Sequence, residues 1–312
     1  MKPQTVTIHP RQPFDFGLTA GYHTYFRGIY AADRFEDGVY SRVLDVNGRP
    51  VLASARQAGE ALEVSATGDG VTAQDAQEAA RRISWLLGCD VDLSGFYSTA
   101  SGDPVLSRIV RRLSGLHPPR TLTLFEALVL AVTGQQIASS VAAIIRQLMV
   151  HRLGASLSVD GAVYHTFPTP EAVLLAGLPG LRALKLSGRK AEYILDIASK
   201  SLDGTLSETE LRGLPDGEVE QRLLSVRGVG PWTVSWAMQR GLGRENAFPS
   251  SDLALQRVMS RLYFGGRRLS VRELEGFSQR WRPYRSFVTL YTFAAARMGV
   301  LPDAEAPQEV GP

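Results

Sequence analysis

From Leu224 to Val258 the chain runs LSVRGVGPWTVSWAMQRGLGRENAFPSSDLALQRV, which joins a backbone anion clamp to a single acidic side chain. A helix over roughly Val219–Val226 meets Gly228 and Gly230, then Pro231, then an apolar-periodic run from Trp232 to Met238. The two glycines permit positive φ and close backbone approach, and proline suits the first turn of the next helix, where its missing N–H costs nothing. The result is helix, tight hairpin, helix. Successive N–H groups in such a turn, at the positive end of a helix dipole, hold one phosphate oxygen and read no base. Taken alone, GVG is equally the C-cap and turn of any helical protein. Asp252 follows in FPSSDLALQR, where Ser250, Ser251 and Asp252 all precede an apolar-periodic helix and all make good N-caps.

The order of these parts resembles the helix-hairpin-helix (HhH-GPD) DNA glycosylase superfamily, and most closely its AlkA-type 3-methyladenine DNA glycosylase II branch. There the hairpin is followed, about twenty residues on, by an aspartate that opens the next helix, and Asp252 stands at that place. RISWLLGCDVDLSGFY, FEALVLAVTGQQIASSVAAIIRQL and LSGRKAEYILDIASKSLDGTL resemble further blocks of the family, in the family's order. The likeness extends over Pro13 to Gly299. One departure is Arg227, where the family hairpin usually has proline; it can loosen the turn or add a phosphate contact.

What the resemblance implies is hydrolysis of the N-glycosidic bond of an alkylated purine, leaving an abasic site. The base must first leave the duplex, at a cost of about a few kcal/mol. Gln135 and Gln136 in TGQQIA match the residues that fill the resulting hole, with Ile137 as the apolar alternative. Hairpin contacts to DNA would come from Arg227, Gly228, Val229, Gly230 and Thr233. Trp232, Trp236 and Phe293 match aromatic positions of the base pocket, and Tyr22 is a fourth candidate. A cationic base is held there by stacking and cation–π attraction worth roughly 0.5–2 kcal/mol per ring, although a tryptophan on a helix is by default core. Asp252 would oppose positive charge growing on the sugar and accept a proton from water, with Ser250 or Ser251 as the helix cap.

The family's strand-cutting branch has a lysine nucleophile at the position of Trp232, and no lysine follows Lys200, which implies a monofunctional enzyme. A monovalent cation on hairpin carbonyls near Val226 and Val229 is a further family expectation. Side chains suggest no metal site, because the five histidines are scattered. One cysteine, Cys89, excludes a four-cysteine iron–sulfur cluster, and no cofactor is expected. Two alternatives remain: a non-enzymatic damaged-DNA-binding protein, which has no need of Asp252, and an oxidised-purine glycosylase, which calls for a more specific hydrogen-bonding pocket and commonly the lysine.

The elements around these residues fall into two kinds. Thr5 to about Thr67 alternates in short segments broken by Asp37-Gly38, Asn47-Gly48 and Gly59, as antiparallel hairpins require. This β-rich start weakly resembles the family's TATA-binding-protein-like domain. A helix from Ala73 to Leu87 covers it, and from Asp103 onward the sequence is helical, with a strongly helical period through Leu124–Gly134, Ile137–Leu153, Pro231–Arg240 and Tyr284–Met298. The expected fold is α+β: a β-rich domain over 1–90, an all-α core over 91–300 with a cleft between two lobes, and a disordered tail over 301–312. A chain of 312 residues, 44% hydrophobic, has ample material for such cores. Nine arginines between Leu253 and Val300 face only Glu273 and Glu275, so a net charge of +3 conceals a basic segment suited to DNA. Neither a membrane span nor a signal sequence is visible, so a soluble cytosolic protein is expected, nucleoid-associated if bacterial. Its partner would be duplex DNA with damaged bases, met as a monomer.

Overall fold

The structure, a computed structural model, describes residues 3–302, so the expected tail lies outside the described residues from position 303 on. Six strands, β1 (Gln4–Ile8), β2 (Ile29–Tyr30), β3 (Asp33–Glu36), β4 (Val39–Val46), β5 (Arg49–Ala58) and β6 (Ala61–Thr67), form one antiparallel sheet. Their order is β1-β6-β5-β4-β3-β2. Asp37-Gly38 joins β3 to β4 and Asn47-Gly48 joins β4 to β5, each pair at positive φ (50° and 72°, 54° and 76°). Such turns match the twist of the strands they connect. Between β1 and β2 the sequence pattern suggests a strand, but the chain forms α1 (Phe16–His23), which Asp15 caps by accepting the Leu18 N–H at 2.8 Å. A helix wins here because it buries Phe16, Ala20, Tyr22 and His23 together. After it the chain turns sharply through Tyr25 and Phe26, at φ 53° and 57°. Helix α2 (Ala73–Leu86) packs Ala76, Ala80 and Ile83 on the sheet.

The helical part has two cores. Helices α3 (Ser94–Ser101) and α4 (Pro104–Arg112) leave the sheet and later meet the end of the chain. Between them and that end come α5 (Leu124–Gly134), α6 (Ser139–Leu153), the hairpin β7 (Ser156–Val159) and β8 (Ala162–His165), and α7 (Pro170–Ala183), which is broken at Gly177. Then follow α8 (Gly188–Leu202), α9 (Glu208–Gly213), α10 (Asp216–Leu224) and α11 (Pro231–Arg240). Ten of the eleven residues of α5 are buried, so this helix is the axis of the first lobe, against Ile194, Leu223, Val234 and Met238. Finally α12 (Leu253–Tyr263), α13 (Val271–Ser278) and α14 (Arg285–Met298) join α3 and α4 around Phe96, Leu106, Met259 and Tyr291. The sequence did not indicate α3, β7, β8 or α9. Among the described residues no helix is long and apolar enough to cross a membrane.

A buried ion cluster ties sheet to helices. Arg42 on β4 donates to Asp33 Oδ1 at 2.9 Å and to Glu126 Oε2 of α5 at 2.6 Å, while the Tyr40 hydroxyl donates to Asp33 at 2.5 Å. His23 Nδ1 lies 3.6 Å from the other Asp33 oxygen. Burial opposes ionisation of Asp33, but Arg42 and His23 overcome it and hold the carboxyl well below the usual range. The residues on either side of His23 in α1 are thereby fixed relative to α5.

Candidate active site

Asp252 and Trp232, the second residue of the helix after the hairpin, line a cleft of about 690 Å³ between the two helical lobes. Helix α10 ends at Leu224, and Gly228 takes φ 83° with its Cα against the Tyr193 ring. Val226 and Val229 are buried and anchor the turn, closed by the Val229 N–H bonding to the Val226 carbonyl at 3.0 Å. Gly230 is the N-cap of α11 and offers no side-chain hydrogen bond, so the first-turn N–H groups stay open to an outside acceptor. Only one of the two glycines needs positive φ: Gly230 sits at φ −102°, and a Cβ built there would meet nothing within 4 Å. Arg227, beside the turn, is held from the side of α8. It pairs with Glu192 on α8 at 2.8 Å and lies over Tyr193.

Asp252 is itself the cap of α12, and neither preceding serine is. The turn that bonds its N–H to the Pro249 carbonyl (2.8 Å) sets it at the helix start. One oxygen, Oδ1, accepts the N–H groups of Ala254 (2.8 Å) and Leu255 (2.9 Å). The other, Oδ2, accepts Trp232 Nε1–H at 2.6 Å. Capping therefore does not turn the side chain away from the cleft. The two oxygens are locked in place and the carboxylate lines the cleft.

The cleft brings together all four aromatics that the sequence suggests, Tyr22, Trp232, Trp236 and Phe293, and Ile137 borders it as well. The two glutamines separate. Gln135 turns inward, its amide donating to the Gly228 carbonyl and to Thr233 Oγ1, both at 2.9 Å, so it braces the hairpin. Thr233, expected among the DNA contacts, is buried in that bond. Gln136 is exposed at φ 53°, beside the 37% exposed Ile137. A side chain on a turn so shaped can enter the space left by an extruded base. Lys190 caps the end of α5 by donating to the carbonyls of Thr133 (2.9 Å) and Gln135 (2.6 Å). It does not line the cleft.

Among the cleft residues that sequence reasoning did not single out, three stand together. Tyr25 comes from the strained turn after α1, and Arg240 and Arg297 come from α11 and α14. The last two carried a signal: Arg240 lies one turn beyond Trp236, and Arg297 one turn beyond Phe293. Arg240 donates to the hydroxyl of Tyr25 (2.8 Å), and Arg297 to that of Tyr22 (2.9 Å). Burial would raise the Tyr25 hydroxyl, yet Arg240, Arg297 and Arg146 bring it down to about 8. At Tyr22 burial outweighs Arg297 and Arg240 and the hydroxyl is pushed up. Of the nine C-terminal arginines, Arg285 is buried against Glu275 at 2.6 Å, so they do not form one DNA-facing surface. Cys89 is buried, its thiol pushed up to about 12 by burial.

Among the described residues no group of three His, Cys, Asp or Glu side chains is placed to hold a metal. On the hairpin, the Val226 carbonyl already accepts the Val229 N–H and the Gly228 carbonyl the Gln135 amide. A cation there would share both with protein donors.

Known proteins resemble this chain in sequence and in fold. The chain is 32% identical to the DNA-3-methyladenine glycosylase of Bacillus subtilis over 215 residues, 69% of this chain and 71% of that protein. It is 26% identical to the DNA-3-methyladenine glycosylase 2 of Escherichia coli over 292 residues, covering 91% and 95% of the two chains. Its structure superposes on a 3-methyladenine DNA glycosylase from Archaeoglobus fulgidus with a TM-score of 0.84 at 28% identity, over 95% of this chain and all of that one. A sequence profile described as HhH-GPD superfamily base excision DNA repair protein matches residues 129–283. The chain therefore belongs to the HhH-GPD superfamily of base excision DNA repair proteins.

Proposed function

We propose that the protein is a DNA glycosylase that flips alkylated purines of the 3-methyladenine type out of duplex DNA and hydrolyses their N-glycosidic bond. The observation that carries this reading is Asp252: a carboxylate lining the cleft, one oxygen fixed by the α12 N–H groups and the other by Trp232. A charge held so rigidly needs no reorganisation as positive charge grows on the deoxyribose, and it can take the proton of the attacking water. Alkylation already activates the leaving base, so little acid catalysis is required. Gln136 or Ile137 fills the vacated space, and the hairpin N–H groups hold a phosphate. Hydrolysis by a carboxylate-bound water needs no cofactor. Trp232 stands where strand-cutting relatives need an amine, and the nearby Lys190 is engaged by two carbonyls, which supports a product with an abasic site and an intact strand. Isolated lesions offer no palindrome for a dimer to match, so a monomer is expected.

The test is base release from methylated duplex DNA by the native chain and by Asp252→Asn, with the product probed before and after alkali. Free 3-methyladenine from the native chain alone, with strand breaks only after alkali, is the expected result. If both bind DNA and neither releases a base, the protein recognises damage without excising it.

A further inference from the structure

Helix α5 closes its last carbonyls with charges borrowed from other helices. Its own last turn holds no basic residue, and its C-cap is Gln135 at φ −58° and ψ 132° rather than a glycine in the left-handed region. Arg146 of α6 donates to the Leu130 carbonyl, and Lys190 of α8 donates to those of Thr133 and Gln135. Burial and the neighbouring Arg146 lower the Lys190 ammonium, so the two carbonyls at the negative end of the α5 dipole hold that charge in place.

Gln135 is thereby gripped twice. Its carbonyl accepts from Lys190, and its side-chain amide donates to the Gly228 carbonyl and to Thr233 Oγ1. The next residue, Gln136, stands at φ 53°, a region that residues with a Cβ avoid. Such a turn persists only where its surroundings over-determine it. Here the carbonyl that Lys190 holds belongs to the peptide joining Gln135 to Gln136, and the side chain before that peptide is pinned from the hairpin.

We propose that Lys190 is a positioning residue: with Gln135 it locks the turn at Gln136 and Ile137 to the hairpin, so that the duplex meets a phosphate grip and a gap-filling side chain at a fixed spacing. The proposal rests on the reading of that turn as the part that enters the vacated space, and it names what keeps the turn ready before DNA arrives. Lys190 does not line the cleft and acts through Gln135. A turn set in advance loses little conformational freedom on insertion, whereas a loose one must be ordered while the base is leaving the stack.

The test uses a duplex with a tetrahydrofuran abasic analogue and 2-aminopurine as the neighbouring base, whose emission reports filling of the gap with no bond broken. Emission at saturating protein, affinity for undamaged duplex and single-turnover release of 3-methyladenine from duplex methylated with dimethyl sulfate are measured for the native chain, Lys190→Met and Lys190→Arg. Each is checked for an unchanged melting temperature, and Lys190→Gln, which keeps a donor, stands in if Lys190→Met melts lower. Lys190→Met should bind undamaged duplex within about threefold of the native chain, keep less than about half of its emission change and release 3-methyladenine about tenfold more slowly. Lys190→Arg, which keeps the charge and the donors, should recover most of the emission change and of the rate. A full emission change in Lys190→Met overturns the proposal, because the turn then holds its shape without the tie. A loss confined to duplex affinity overturns it too, because Lys190 is then only a charge near DNA. A native chain that shows the emission change, lost in Lys190→Met, but releases no base refutes the glycosylase reading and leaves this proposal standing.

Discussion

The two glycines of the hairpin differ in a way that predicts opposite failures. At Gly228 the backbone has φ 83°, and an added Cβ would lie 2.2 Å from Tyr193 Cδ2 and 2.3 Å from Cγ. Left-handed backbone costs an L-residue about 1–2 kcal/mol. Pushing a half-buried ring out of contact with the first lobe's core adds about 1–3 kcal/mol of overpacking. Gly228→Ala should therefore lose about 2–5 kcal/mol, read as a lower urea midpoint at unchanged slope. At Gly230 the backbone is extended and a Cβ would point into open space, so Gly230→Ala should cost under about 1 kcal/mol, the usual preference of an N-cap for glycine over alanine. That open space is where a phosphate would approach the first turn of α11. One charge-assisted hydrogen bond lost there is worth about 1.5–3 kcal/mol, so affinity for undamaged duplex, measured by fluorescence anisotropy at fixed salt, should fall about ten- to hundredfold. The reasoning is refuted if Gly228→Ala unfolds within about 0.5 kcal/mol of the native chain, the range of an ordinary surface change. It is refuted equally if Gly230→Ala binds duplex as the native chain does.

Three further outcomes follow from the geometry. Trp232→Phe keeps a ring in the cleft but removes the donor to Asp252 Oδ2, and should slow single-turnover base release about tenfold; an unchanged rate would mean that this bond does not position the carboxylate. One phenol should titrate near pH 8 by ultraviolet absorbance and vanish in Tyr25→Phe. Because that value lies below the ordinary value of about 10, ionisation favours the folded chain. The native chain should therefore gain stability over Tyr25→Phe as pH rises through 8 to 10 and show no such gain below 8; a gap that narrows over that window contradicts the sign. Arg42→Met strands Asp33 and Glu126 as buried carboxyls and should cost about 3–5 kcal/mol in denaturant unfolding, whereas a loss under about 1 kcal/mol would show that solvent reaches the cluster.

What was legible in the sequence was local. Asn47-Gly48, the Gly228 turn, Pro231 and Asp252 each carry their meaning in a few neighbouring residues, and helical period placed Trp232 and Trp236 on one face of α11. The choice of Asp252 over two serines as the cap was not legible, because it depends on how the turn from Pro249 closes. Nor was the parting of Gln135 from Gln136, which is decided by hairpin atoms 93 and 98 residues away. Helix α1 competed with a strand pattern and won through burial against a sheet not yet formed in any local window. The Arg42–Glu126 and Arg240–Tyr25 pairs, 84 and 215 residues apart, have no local signature on either side.

The strained turn at Tyr25 and Phe26 gives the cleft a mixed ancestry. Its wall of Trp232 and Asp252 grows from the helical lobes, while Tyr22, Tyr25, Phe26 and Tyr30 arrive from a segment stitched to the sheet by His23 and Asp33. The carboxylate proposed to break the bond and these four rings of the cleft thus belong to separate stretches of chain. Exchange of the first few dozen residues would replace four of the cleft's rings while leaving Asp252 and its three hydrogen bonds untouched, so this fold can vary part of its cleft apart from its carboxylate.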